Sequence, residues 1–413
     1  MNRFTIILWV IVFGTYSQNV GIGVAVPHPS AKLEVQDTSR GVLIPRLSTA
    51  QRDANITSPA TGLIIYNTTC NVFQFWNGVE WVSLLGSAPN LYSQWCSNLR
   101  QWSYRIPITL TNISGNTIAD VEIPVTINTA AFIGAGKMQS TGADIRFTDS
   151  SCNPLPYYIE KGINTTATKI WVRVPLIPPN SSITIYMYYG NQIALPGSDA
   201  SSTFHFWEDF NNTAQWSSTN GTIFTLSGGI LNIAGNGYFY LNSSLPFNIN
   251  DGYIVEARVR YHPVSTGPNS YSGVLQANSA QQGGCSSNLC GEAVIHYTRE
   301  NNSTTVGWWA GNGSTNSYNI GVNPNCWNSA DNTWYEIGYE VTATQITFFR
   351  DGVQVCASSP FSGWAKNLRW LIIGHFCCNR NIQDTDYDWI RIRRSGANAV
   401  TISQGTEDLN VCN

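Results

Sequence analysis

Residues 333–355, TWYEIGYEVTATQITFFRDGVQV, read as two β-strands and the start of a third. Side chains alternate between the faces of a strand, so Tyr335, Ile337, Tyr339 and Val341 form one apolar face and Trp334, Glu336, Gly338 and Glu340 the other. A short turn follows, then the strand ITFFR, and then Asp351-Gly352, a strong hairpin signal between apolar runs. An upstream stretch, YIVEARVRY, repeats the pattern. There Tyr253, Val255, Ala257, Val259 and Tyr261 face one way, while Glu256, Arg258 and Arg260 face the other. Strands with one core face and one wet face belong to antiparallel sheets, so the expected fold class is all-β. The two glutamates share a face, and paired carboxylates are the means by which glycosidases cleave sugars. The stretch therefore poses a choice between catalytic site and scaffold.

The 413-residue chain is long enough for two or three domains. Charged residues make up 11% and the net charge is -3, against roughly 25% charged residues in ordinary soluble domains. No basic patch exists to neutralise phosphates, which excludes nucleic acid as the expected partner. Asn, Ser and Thr carry the polarity, and the 15 Trp and 19 Tyr suit a secreted β protein. Residues 1–17, MNRFTIILWVIVFGTYS, have the charge, apolar run and small final residue of a secretory signal peptide. The run from Phe4 to Phe13 is short of the roughly 20 residues needed to span a bilayer. The expected location is thus secreted, extracellular or at the cell surface. Ten cysteines in an exported chain point to disulfides. Cys285 and Cys290, in CSSNLC, form the most local pair. Cys70 with Cys96 is a further expectation, and Cys377 and Cys378 are expected to bond to Cys326 and Cys356.

Residues 18–88 are Gly- and Pro-punctuated β structure, in which Asn77-Gly78 signals a hairpin between VFQFW and VEWVSL. The runs QNVGIGVAVPHPSAKLEV and GVLIPRLSTAQRDANITSPATGLIIYNTT resemble a module found near the start of many exported Bacteroidota proteins, ahead of fibre-like or adhesive domains. The resemblance implies a stalk-like module through which the chain would form a homo-oligomer, and a simple spacer is the alternative reading. After a linker at 89–101, residues 102–191 read as a β-sandwich, with strands over Arg105–Asn112 and Ile170–Val174. Its landmarks, WSYRIPITLTNISGNTIADVEIPVTINT, GADIRFTDSSCNPLPYYIE and TKIWVRVPLIPPNSSITIYMYYGN, resemble an exported domain family of unknown function. Within it Asp144 and Arg146, two apart on a strand, are expected to form a surface pair with Asp149 nearby.

Residues 200–413 open with FHFWEDFNNTAQWS and close with DTDYDWIRIRR. These ends, with FFRDGVQV between them, resemble the concanavalin A-like lectin/glucanase jelly roll, in which two antiparallel sheets pack face to face with first and last strands adjacent. Glucanases of that fold carry Glu-x-Asp-x-Glu, or the same with one more residue, and the outer glutamates are nucleophile and acid/base about 5 to 5.5 Å apart. EIGYE has Gly338 where the central acid belongs, and the strand–turn–strand–hairpin frame is one that members without catalysis share. Glu336 and Glu340 are therefore expected to pair with arginines such as Arg258 or Arg260, and no enzyme activity is expected. The resemblance also implies a structural calcium ion held by Asp209 and Asp388. A glycan or other polysaccharide is the expected ligand, with Trp308 and Trp309 of GWWAGNG as candidate contacts; they point to opposite faces of their strand, so at most one reaches a ligand and the other belongs to the core. The rival readings are a structural surface or matrix protein without a small ligand, and a polysaccharide hydrolase.

Overall fold

The computed structural model describes residues 19–69, 72–84, 95–99, 101–219, 222–234, 237–263, 271–281, 293–300, 304–314, 319–374 and 384–409. The chain divides into two compact units, Met1–Cys96 with Val411–Asn413, and Ser97–Asn410. No helix among the described residues is long and apolar enough to cross a membrane. Residues 1–17, the expected signal peptide, and Cys70, Cys285, Cys290, Cys377 and Cys378 all lie outside the described residues.

In the first unit, strands Val20–Ile22 and Leu33–Val35 pair in parallel. A second sheet is ordered Arg46–Leu47, Ile64–Asn67, Val72–Trp76, Trp81–Ser83. The hairpin expected at Asn77-Gly78 forms, but its loop has four residues. The Asn77 side chain closes it by accepting from the backbone N–H of Val79 and of Glu80, both at 2.8 Å. A short helix, Thr49–Asn55, starts with a reciprocal cap between Ser48 and Gln51.

The second unit contains the β-sandwich and the jelly roll. One sheet of the sandwich holds strands Tyr157–Lys161, Thr168–Ile177 and Ile118–Ile127. The other is built on Tyr104–Asn112, Ser181–Tyr189 and Arg146–Asp149. Alternate residues such as Ile108, Leu110, Ile123, Val125, Val172 and Ile185 are fully buried between them, as period-2 patterning requires. The sandwich is not confined to 102–191. Strands Val400–Gln404 and Asp408–Leu409 return from the far end of the chain and pair with the Tyr104 strand, and Arg105 Nε binds Asp408 at 3.0 Å. The boundary expected at 200–413 is corrected accordingly: the jelly roll ends near residue 396 and the last strands complete the sandwich.

The expected surface pair of Asp144 and Arg146 does not form. Asp144 is buried and accepts from the N–H of Gln139 and of Gly190. Arg146 donates to the carbonyls of Ala143, Ile145 and Leu195. Asp149 closes its own turn onto Ser151 and Asn153. These polar side chains satisfy backbone groups that the turns leave open.

The jelly roll stacks an eight-stranded sheet on a seven-stranded one. Its first strand, Phe206–Glu208, pairs with its last long strand, Thr385–Arg394, as the resemblance implies. Tyr253, Val255, Ala257, Val259 and Tyr261 line the core, with Ile337, Tyr339 and Val341 on the next strand. A disulfide, Cys326–Cys356, joins strand Gly321–Asn328 at the edge of one sheet to Val353–Ala357 at the edge of the other. This overturns the expectation that these cysteines take Cys377 and Cys378 as partners. Cys96 and Cys152 are also disulfide-bonded, and none of the described cysteines is free.

Candidate functional site

The outer face of the eight-stranded sheet carries Glu336 and Glu340, and it is not the wet face that its charges suggest. The sandwich covers part of it. Glu256 receives Arg391 Nε at 2.6 Å and a two-bond fork from Arg393 at 2.9 Å. Arg391 reaches on to Glu160 of the sandwich, which also binds Lys169 at 2.8 Å. The Arg391 guanidinium lies over Trp171, Phe204 and Trp389, and Trp207 stacks between Phe204 and Trp389. Burial alone would raise the Glu256 carboxyl, but the charges of Arg391 and Arg393 more than reverse this and hold it well below the usual carboxylate range. Breaking one member of such a buried network leaves an uncompensated charge.

In register, Arg258 faces Glu336, Glu256 faces Gly338 and Ile254 faces Glu340. The arginines expected to serve the glutamates bind aspartates: Arg258 binds Asp388, and Arg260 binds Asp386 at 2.5 Å. Both guanidiniums also lie over the Trp334 ring. Burial raises the Glu340 carboxyl and the charge of Arg393 partly offsets it. Gly338 has no room for the missing acid, since a Cβ there would meet the Val255 carbonyl oxygen and Glu256 Cγ, each at 2.8 Å.

The residues expected to hold calcium do not fit that ion. Asp388 is committed to Arg258. Asp209 turns both carboxylate oxygens onto Asn211, accepting from its N–H at 3.2 Å and its side-chain amide at 2.8 Å. Calcium takes six to eight oxygens at 2.3–2.6 Å, and a guanidinium in the cage repels it. Among the described residues no three acidic, His or Cys side chains cluster as a metal site would require.

Trp308 and Trp309 lie on opposite faces of their strand, Thr305–Asn312. Trp308 is 3% exposed and stacks on Phe348 in the core, with centroids 5.0 Å apart. Trp308 is thus the member of the pair expected to belong to the core, and a ring between the sheets meets no ligand. Trp309 is half-buried on the outer face and meets His296 edge-on at 5.7 Å.

Register places Trp309 in a row that crosses five strands: Tyr240, Ile372, Gln276, His296, Trp309. Four strand spacings make it roughly 19 Å long. At its centre Gln276 is 1% exposed, and neither its amide oxygen nor its amide nitrogen has a hydrogen-bond partner. A buried amide with both ends unmet costs several kcal/mol, and such groups call for an explanation. Chemically the row holds an amide donor and acceptor on Gln276 and an imidazole on His296, both buried beside Ile372, with half-buried rings at both ends. Sequence reasoning missed Gln276. In VLQANS its polarity reads as an ordinary solvent-facing position, and the signal available was only its alternation with Leu275 and Ala277.

Comparison with known proteins gives two family-model matches. Residues 21–98 match a phage tail like trimerisation region, and residues 141–220 match a domain of unknown function, DUF2341. No curated protein matches. Among solved structures, the chain is similar to a β-1,3-1,4-glucanase (lichenase) derived from a mouse hindgut metagenome. The identity is 12%, over 46% of this chain and 98% of that one, with a TM-score of 0.33. It is also similar to a galectin-like protein of unknown function from Bacillus subtilis, at 11% identity over 46% and 94%, TM-score 0.33. A third is a pseudo β-1,3-glucanase and immunostimulatory antigen of Mycobacterium tuberculosis, at 12% identity over 46% and 99%, TM-score 0.33. The class that the strand topology defines is an all-β protein with a two-sheet jelly roll beside a β-sandwich.

Proposed function

We propose that the chain is a secreted carbohydrate-binding protein, displayed at the cell surface as an oligomer through its N-terminal module. The oligosaccharide lies across the row Tyr240–Gln276–His296–Trp309. One observation carries this reading: a buried amide with both polar ends unmet, in the middle of a row that ends in aromatic rings. Sugars present apolar ring faces that stack on aromatics and hydroxyls that both donate and accept, and the Gln276 amide suits such a hydroxyl. Binding without cleavage is the companion proposal. Crowding at Gly338 and the Glu256–Arg391–Arg393 network that fills the space beside it support it, and glycan is then held on the other sheet. Glycan-array and calorimetric binding to residues 18–413, repeated with Gln276→Leu, tests the site. Loss of binding with an unchanged melt is the expected result, and undiminished binding would refute it. Release of reducing sugar from a β-glucan by the same protein would refute the non-catalytic reading alone.

A further inference from the structure

The small sheet of the first unit carries apolar side chains on both faces. Its strands pair Ile64 with Phe75, Ile65 with Gln74, Tyr66 with Phe73 and Phe75 with Val82. One face therefore presents Ile65, Asn67, Val72, Gln74, Trp81 and Ser83, and the other presents Ile64, Tyr66, Phe73, Phe75 and Val82. The protein covers the first face with its own helix, and Ile65 and Val72 there are 1% and 2% exposed. Arg52, 5% exposed, donates to Gln74 at 2.8 Å, Asn67 donates to the same oxygen at 2.9 Å, and Arg52 also lies over Trp81. No described residue of this unit covers the apolar face: Phe73 is 41% exposed and Ile64 43%, with Tyr66 set edge-on to Phe73. More than half of the exposed large apolar side chains among the described residues lie in this unit, including Val20, Leu33, Leu43 and Leu84.

A sheet that covers one face with its own helix and bares a second, apolar one leaves that second face for a partner. We infer that the face formed by Ile64, Tyr66, Phe73, Phe75 and Val82 is where copies of this chain meet, three apolar faces converging on a threefold axis. The occupant is a further copy because the match to a trimerisation region spans this sheet, residues 21–98, and because closed symmetry lets one surface serve every protomer. The inference rests on the oligomeric display proposed above and adds the face that does it. In each copy the Arg52–Gln74–Asn67 network stiffens the back of the sheet and holds the apolar face in shape.

The test uses residues 18–413 in two arms. Sedimentation and light scattering of the unaltered chain should give a trimer, and the double variant Ile64→Lys, Phe73→Glu should sediment as a monomer with an unchanged β-sheet spectrum. Both positions are exposed within the protomer, so charge there is compatible with its fold. In the second arm, hydrogen exchange of the unaltered chain should show protection over 64–66 and 73–75 that fades on dilution to the monomer. A monomeric unaltered chain at all concentrations would overturn both the inference and the oligomeric display. A trimer that survives the double variant, or protection that maps elsewhere, would overturn the face and leave the display standing.

Discussion

Glu256 faces Gly338 across paired strands, and its side chain, held by Arg391 and Arg393, fills the space where a residue at 338 would put its Cβ. Any acid between Glu336 and Glu340 would have to displace that network. The expected outcome for Gly338→Asp is a loss of about 1–3 kcal/mol from overpacking against the Val255 carbonyl, with no release of sugar from any β-glucan. Denaturant unfolding and a reducing-sugar assay check it. Hydrolysis by the unaltered chain that Glu336→Gln with Glu340→Gln abolishes would return the glutamates to catalysis.

The two tryptophans should separate cleanly. Trp308→Ala opens a cavity between the sheets beside Phe348 and should cost about 3–5 kcal/mol. Trp309→Ala should melt within a few degrees of the parent and lose retention in affinity electrophoresis with polysaccharide. Equal losses of stability for both variants would remove Trp309 from the site.

Stability should depend on pH through Glu122. This side chain is fully buried in the sandwich, accepts the N–H of Arg394 from the jelly roll at 2.9 Å, and lies 3.6 Å from His205. Asp120, Arg173 and Tyr253 surround the same junction. Burial pushes the Glu122 carboxyl up to about 7. Between about 4.5 and 7 the folded chain holds a proton that the unfolded chain has released. The contribution is therefore complete below about 4.5 and is lost as pH rises through 7, by up to about 3 kcal/mol. Burial lowers the His205 value, which acts in the opposite sense at acid pH, so the useful comparison is between parent and Glu122→Gln. The variant should be the more stable at pH 8 and show the flatter profile by chemical denaturation from pH 5 to 8.

Removing residues 397–413 should destabilise the sandwich although it leaves the jelly-roll strands intact. The Tyr104 strand loses its partner at 400–404 and its short partner at 408–409, and a long bare edge invites pairing with other chains. Light scattering on warming should show aggregation below the parent's melting temperature. A truncated chain that melts and scatters like the parent would mean that the returning strands add nothing.

What could be read from sequence was whatever repeats locally. The alternation in 253–261 and 333–341 gave the right core faces, because period-2 patterning survives wherever one face is buried. What could not be read was whatever depends on distant partners. Glu256, Arg391 and Arg393 look like wet-face charges until Glu160 and Trp171 of the other domain arrive to bury them. Gln276 looks solvated until its strand is placed at the centre of a sheet. The run VTISQ carries β-branched residues but nothing that says its partner lies near residue 108. The cysteines failed for the same reason: connectivity depends on which edges the fold brings together, and Cys326 and Cys356 sit on two edges that only the folded jelly roll aligns.

The returning strands also impose an order on biosynthesis. Arg105 and its partner Asp408 are 303 residues apart, so the first half of the sandwich leaves the ribosome with its edge open and stays so while the whole jelly roll is made. Its closing strands emerge after the jelly roll, and they reach that edge only if the domain between them has brought its own ends together, first strand beside last. Completion of the sandwich thus reports that the jelly roll has folded. Contacts this distant are slow to form, and until they do the chain carries an unpaired edge that is open to wrong partners.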